Sequence, residues 1–263
     1  MKPQDFTRKT AYGIQDLLTI MAILRGEDGC LWDREQDHHS IRNNLIEETY
    51  EAVEAIDRED RTLLLEELGD VLMQVVFHAQ IEAEQGQFTF DDVCNGVCQK
   101  LIYRHPHVFG EEKVESSGQV LDNWDKLKQR EKQQETLTSN LEGVSTALPS
   151  LMRAAKVQKR AAKRGLCSSE LPQLQEDLRQ KLSQAESALN DCAPAEQELG
   201  ELLFAAAALT RAAGVEPEEA LYRATQDFIT QVSDWETLAA KNGTNLSAYP
   251  PDQLGNLFRK VKE

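Results

Sequence analysis

Residues 45–80 read LIEETYEAVEAIDREDRTLLLEELGDVLMQVVFHAQ, and this stretch decides the fold. It holds two acidic words, Glu47-Glu48-Thr49-Tyr50-Glu51 and Glu67-Leu68-Gly69-Asp70, each with two carboxylates three residues apart. On an α-helix that spacing sets both side chains on one face, one turn apart. Around the second word Leu64, Leu68, Val71, Leu72, Val75, Val76 and Ala79 recur at three- and four-residue steps, the mark of a helix with one buried stripe. Leu45, Tyr50, Val53, Ala55 and Ile56 give the first word a looser stripe of the same kind. The connection Asp57-Arg58-Glu59-Asp60 is short and polar, so the two helices fold back on one another as a helical hairpin. Glu48, Glu51, Glu67 and Asp70 then converge on one spot.

Four carboxylates gathered in one place repel, and a hard divalent cation with oxygen ligands relieves that repulsion. A lone acidic residue on a helix is ordinarily part of a solvated face. These four lie beside the apolar stripes and carry information only as a set. Gly69 gives up about 1 kcal/mol of helix propensity against alanine, which points to close approach by another backbone or a ligand there.

The 263 residues allow one or two domains with a real core. A formal charge of −16 argues against a sequence-independent grip on nucleic acid or on anionic membranes. No apolar run is long enough to span a bilayer, and MKPQDFTRKTAYG at the start has no apolar signal core. The five cysteines, at 30, 94, 98, 167 and 192, lack zinc spacing and are expected as reduced thiols of a cytoplasmic protein. Few Gly and Pro, with abundant Leu, Ala, Glu and Gln, predict an all-α protein.

Outward from the hairpin, residues 1–11 read as a loose leader and Tyr12–Leu24 as an amphipathic helix. Residues 26–40 read as a loop with Trp32 in its middle, either a lid on the core or a surface for stacking a flat ligand. The second hairpin helix ends near Gly86. Phe90–Arg104 follows as a helix with Asp91 and Asp92 in its first turn, stopped by Pro106. A charged helix covers about 119–135 and carries Trp124, Lys126, Lys128 and Arg130, and residues 136–149 read as a polar linker. His38, His39, His105 and His107 read as loop or capping residues, since none has a partner at metal spacing.

Beyond the linker the chain repeats itself. Glu67-Leu68-Gly69-Asp70-Val71-Leu72 returns as Glu198-Leu199-Gly200-Glu201-Leu202-Leu203, an offset of 198 − 67 = 131 residues. The expected organisation is therefore a first domain over 1–135, a linker over 136–149 and a second copy over 150–263. The counterpart of the first acidic word has two possible registers, Glu176-Asp177-Gln180 or Gln180-Lys181-Gln184. In both the last carboxylate has become an amide. The basic run from Arg153 to Arg164 reads as the solvated face of a helix, or a remnant phosphate-facing surface.

The words GCLWDREQ, LIEETYEAVEAI, EELGDVLMQVVFHAQ, YRHPHVFG and NWDKLK, in that order, resemble the MazG family of nucleoside triphosphate pyrophosphohydrolases in its long, two-copy bacterial form. The resemblance implies a tandem repeat of MazG-like helical bundles that dimerises through helices. It implies Mg²⁺-dependent hydrolysis of nucleoside triphosphates to the monophosphate and pyrophosphate, with broad base specificity and Mn²⁺ as a substitute. The metal ligands it implies are Glu48, Glu51, Glu67 and Asp70. Glu47 and Glu48 are then the catalytic pair, Glu47 positioning water, and Trp32, Arg104, Trp124 and Lys128 contact the substrate. Two positions depart from the pattern: Leu31 stands where the family has Pro, and Tyr103 where it has Arg. The long family form commonly keeps a full acidic set in its second copy, and here that set is broken. The chemistry is consistent with this, because a polyanionic triphosphate can meet a carboxylate cluster only through metal ions. A di-iron or di-manganese bundle would need Glu-x-x-His words, and the second word ends in Asp70. The remaining alternative is a non-catalytic nucleotide-binding or regulatory dimer with the second copy as scaffold.

Overall fold

The computed structural model describes residues 3–131, 136–191, 193–241, 245–246, 249–250 and 253–254. Among these the chain is all-α with no strand. None of the described helices is long and apolar enough to cross a membrane. Cys30, Cys94, Cys98 and Cys167 are free thiols, and Cys192 lies outside the described residues. The chain divides into two compact units, Met1–Leu127 and Lys128–Glu263.

The first unit is built on the predicted hairpin, α3 (Arg42–Asp57) and α4 (Arg61–Glu84), preceded by α1 (Ile14–Leu24) and α2 (Leu31–Glu35). Three residues make the turn between α3 and α4. Glu59 takes a left-handed φ of 54°, and its N–H and that of Asp60 donate to the Ile56 and Ala55 carbonyls. This closes α3. Asp60 then starts α4, its carboxylate accepting from the N–H groups of Thr62 and Leu63 at 2.9 and 3.1 Å. One residue thus ends the first helix and caps the second. Gly86, at φ 69°, closes α4 in the same left-handed way.

Only half of α4 is core. Its C-terminal half buries Val76, Phe77 and Ile81 against Met21 of α1 and Ile41, with Leu17, Leu18, Met73 and Phe90 packed around them. Burying such side chains contributes about 1.5–3 kcal/mol each, so this end anchors the unit. The N-terminal half differs from the expected buried stripe: Leu68 is 54 % and Leu72 39 % exposed, while Leu64, Val71 and Val75 are half-buried. In α3 Tyr50, Val53 and Ile56 are also exposed. Its buried face is Ala52 and Ala55 instead, in line with Glu48 at four- and three-residue steps. Small residues there let α3 and α4 pack closely.

The span 26–40, expected as a loop, contains the one-turn helix α2, too short to show any period. Arg25 holds it. Its guanidinium donates to the Asp33 and Gln36 carbonyls on one side and to both carboxylate oxygens of Glu84 on the other, at 2.9 and 2.8 Å. It also stacks over Phe77, 5.2 Å from the ring centroid. Downstream, α5 (Phe90–Arg104) is capped by Thr89 and Asp92 acting reciprocally. His105 leaves the helical region ahead of Pro106, and Pro106 opens the short α6 (Pro106–Phe109), which the sequence did not suggest. Next comes α7 (Ser117–Glu131); residues 132–135 of the expected 119–135 helix lie outside the described ones.

In the second unit α8 (Leu137–Glu142) lies inside the span read as a linker, with Asn140 buried and its carbonyl accepting from Arg160. There follow α9 (Ser150–Lys163), α10 (Leu171–Asn190), α11 (Glu196–Ala212) and α12 (Pro217–Lys241). The hairpin α10–α11 is the most extensive packing in this unit, and α9 lies against α11. Buried alanines, Ala155, Ala185, Ala205, Ala207 and Ala208, supply its close contacts. On α9, Lys156, Lys159 and Lys163 are exposed, whereas Arg153 and Arg160 are half-buried.

Candidate metal centre

The hairpin brings the two acidic words together. Carboxylate oxygens of Glu48, Glu67 and Asp70 lie within 4.8 Å of one another, Glu67 buried and the other two half-buried. Among the described residues no other group of His, Cys, Asp or Glu is set up to hold a metal ion. Glu51 is exposed but adjoins this cluster, near enough to act on both Glu48 and Glu67. Burial raises the Glu48 carboxyl above its ordinary range, and the charges of Asp70, Glu51 and Glu67 raise it further. Glu67 is raised for the same reasons, burial first and then Glu51 and Asp70. Both shifts have one cause, burial together with like charges, and both disfavour the charged forms.

The donor set is all oxygen, which suits Mg²⁺, Mn²⁺ or Ca²⁺ and not a soft metal. A divalent cation would supply the missing positive charge. Glu47, next to Glu48 on α3, is exposed. Gly69 stands in open space, with nothing within 4 Å of a Cβ built there, so among the described residues no other backbone approaches it.

The expected substrate contacts fall in different places. Arg104, buried at the end of α5, lies over the Trp124 ring at 5.1 Å, so these two meet each other. Trp32 sits on α2 with 57 % of its surface exposed. Lys128 is the first residue of the second compact unit.

One cluster had no signal in the sequence. His38 and His78 stack with ring centroids 5.0 Å apart and meet Nδ1 to Nδ1 at 2.7 Å, one ring donating and the other accepting. The Nε2 of His38 is 2.6 Å from a carboxylate oxygen of Glu82. Burial, and then the neighbouring His38, lower the His78 imidazole below its usual value. The pairing spans forty positions of sequence, so no local spacing could have revealed it.

The corresponding hairpin of the second unit is wired differently. The Nζ of Lys181 on α10 donates to Glu201 of α11 at 2.7 Å and to Gln184 at 3.3 Å, while Gln197 donates to the other Glu201 oxygen at 3.1 Å. Lys181, Gln197 and Glu201 border an open cleft with Asp177, Gly200 and Phe204. Glu176 points to solvent beside Arg179. Lys181 of one register open to the sequence thus meets Glu201, and Asp177 of the other lines the same cleft.

Residues 36–109, which contain all four acids of the first unit, match the MazG nucleotide pyrophosphohydrolase domain. Over 254 residues the chain is 39% identical to a nucleoside triphosphate pyrophosphohydrolase of Escherichia coli K12, covering 95% of this chain and 97% of that protein. It is also 39% identical over 248 residues to the nucleoside triphosphate pyrophosphohydrolase/pyrophosphatase MazG of Thermotoga maritima, covering 94% and 95% of the two chains. A nucleoside triphosphate pyrophosphohydrolase of Mycolicibacterium smegmatis is 39% identical over 143 residues, 54% of this chain and 44% of its own.

Proposed function

This chain belongs to the MazG family and is a nucleoside triphosphate pyrophosphohydrolase, and we propose that it works at the acid cluster of the first unit, with Mg²⁺ held there. The observation that carries the proposal is the convergence of Glu48, Glu67 and Asp70, with Glu51 alongside. These side chains would hold the ion, and Mn²⁺, equally hard, would substitute. Bound Mg²⁺ supplies neutralisation of the phosphates and a more acidic water. The chain's own contribution is to orient the triphosphate and the attacking water. Glu47, exposed beside Glu48, would position the attacking water. Arg104, stiffened by the Trp124 ring, supplies positive charge toward the phosphates. Trp32, largely exposed, offers a face on which any base can stack, hence broad base specificity. Lys128, in the second compact unit, is not assigned to this site.

We further propose that the chain is a homodimer through the α3–α4 face and that the two units are copies of one helical design. Ile46, Tyr50 and Val53 on α3, and Leu65, Leu68 and Leu72 on α4, form exposed apolar stripes, which a second copy would cover. Gly69, open on the same helix, leaves room for such an approach. The second unit, lacking the acid set, would serve as scaffold.

The test is hydrolysis in ¹⁸O-labelled water across nucleoside and deoxynucleoside triphosphates, with products read by mass spectrometry. Attack on the α-phosphorus puts the label in the monophosphate and leaves pyrophosphate unlabelled. Label in pyrophosphate or in inorganic phosphate would refute that route.

A further inference from the structure

The second unit has kept the helical hairpin and changed the charge at its centre. Lys181 lies nine residues before the end of α10 (190 − 181), as Glu48 lies nine before the end of α3 (57 − 48). Both face the partner helix, Glu48 toward Glu67 and Asp70, Lys181 toward Glu201. The surroundings of Lys181 resemble a small coordination sphere. Its ammonium has three protons to donate; Glu201 takes one at 2.7 Å, Gln184 another at 3.3 Å, and the Asp177 carboxylate lies within electrostatic range.

We propose that the ammonium of Lys181 takes, in the second unit, the place that a divalent cation takes in the first, so that the α10–α11 cleft is charge-compensated without metal and the chain has one metal centre. This rests on the metal-binding reading of the first unit. Three features of geometry and sequence support it. In the first unit three carboxylates converge, while in the second a carboxylate and an ammonium do. The positions flanking Lys181 in the acidic word, Gln180 and Gln184, are amides, which contribute no charge for a cation to balance. The contact is also direct: the ammonium sits on Glu201 at 2.7 Å, where a ligand carboxylate would otherwise face the cleft. A carboxylate already held by an ammonium gains little from a metal ion, and the ion would meet the repulsion of the Lys181 charge. The two units thus place a positive charge between facing helices, one by a ligand and the other by a side chain.

The experiment uses the full chain and Mn²⁺ as probe, followed by electron paramagnetic resonance of the free ion. The proposal expects Mn²⁺ binding in the unsubstituted protein, loss of it in E48Q/D70N, and its return when K181E/Q184E is added to that double variant. A neutral variant, K181M in the E48Q/D70N background, controls for folding: it is expected to keep the helical circular dichroism and to bind no Mn²⁺. If E48Q/D70N retained Mn²⁺ that E201Q then removed, the second unit would take metal despite its lysine and the proposal would be overturned. Failure of K181E/Q184E to gain Mn²⁺ while still folded would overturn it as well. If the unsubstituted protein bound no Mn²⁺, the first-unit reading would fail, and the gain or absence of gain in K181E/Q184E would still decide the proposal.

Discussion

Replacing Asp70 by Asn should stabilise the metal-free protein and abolish its response to Mg²⁺. Oxygens of Glu48, Glu67 and Asp70 lie within 4.8 Å of one another. Two unit charges at about that distance repel by roughly 1 kcal/mol in water and roughly 3.5 kcal/mol at an effective dielectric constant of about 20. Glu48 and Asp70 are both half-buried, so their repulsion belongs near the low end, about 1–2 kcal/mol. Asn keeps the shape and removes the charge. For a unit spanning Met1–Leu127, that gain raises the midpoint of thermal unfolding by about 3–8 °C. The wild-type protein should be the one that answers to metal: at about ten times the dissociation constant, Mg²⁺ adds about 1.4 kcal/mol. The assay is thermal unfolding with chelator or with Mg²⁺ at neutral pH, in a Trp235→Phe background so that emission reports Trp32 and Trp124 of the first unit. The advantage of Asp70→Asn should fade in acid. Folded-state values of Glu48 and Glu67 are raised above 4.5, so the metal-free wild type takes up protons and gains stability as pH falls through them toward that value. If Asp70→Asn were less stable than wild type without metal, or gained as much from Mg²⁺, the unrelieved repulsion would be disproved.

Glu59 holds a left-handed φ of 54° at the turn that sets the two acidic words face to face, so Glu59→Gly should add about 0.5–1 kcal/mol; a lower melting temperature would contradict this. Arg25→Met removes the paired contact to Glu84 and the grip on the Asp33 and Gln36 carbonyls. It should cost about 2–3 kcal/mol, reduced from a fully buried pair because Glu84 is partly exposed, and red-shift Trp32 emission; an unchanged melt and spectrum would refute it. His78 is held below 6.5 in the folded protein, so the unfolded chain protonates first and this imidazole's share of the stability is lost as pH drops below that value. Urea midpoints at pH 5 and 7.5 would test this, and His78→Phe should flatten the difference. Glu201→Gln, confined to the second unit's ion pair, should leave pyrophosphate release within about twofold of wild type, as expected for independent sites; a large loss would show that the second unit works.

How far the sequence carried can be seen residue by residue. The spacing of the acids and the polar turn were enough to predict the hairpin, because both are local patterns repeated at helical period. The bounds of α5 were legible for the same reason, with Asp92 in its first turn and Pro106 beyond its end. Periodicity finds an apolar stripe but does not say what covers it, so Leu68 and Leu72 were expected inside and lie outside. The helix α2 has five residues, fewer than two turns, and no period can mark it. The Arg25–Glu84 clasp joins residues 59 positions apart and the His38–Glu82 contact residues 44 apart. Such pairings arise from tertiary packing and leave no short-range trace. The two registers of the second unit posed a difficulty of another kind: they lie one helical turn apart, so Asp177 of one and Lys181 of the other both reach the same cleft.

The measurement that bears most directly on the account is pyrophosphate release from a mixture of nucleoside triphosphates, with and without Mg²⁺, by the wild type and by Glu48→Gln. Release should require the metal and fall by about 10²-fold or more in the variant, equivalent to about 2.7 kcal/mol of transition-state stabilisation. Release at the wild-type rate from Glu48→Gln, or release undiminished by chelator, would contradict it.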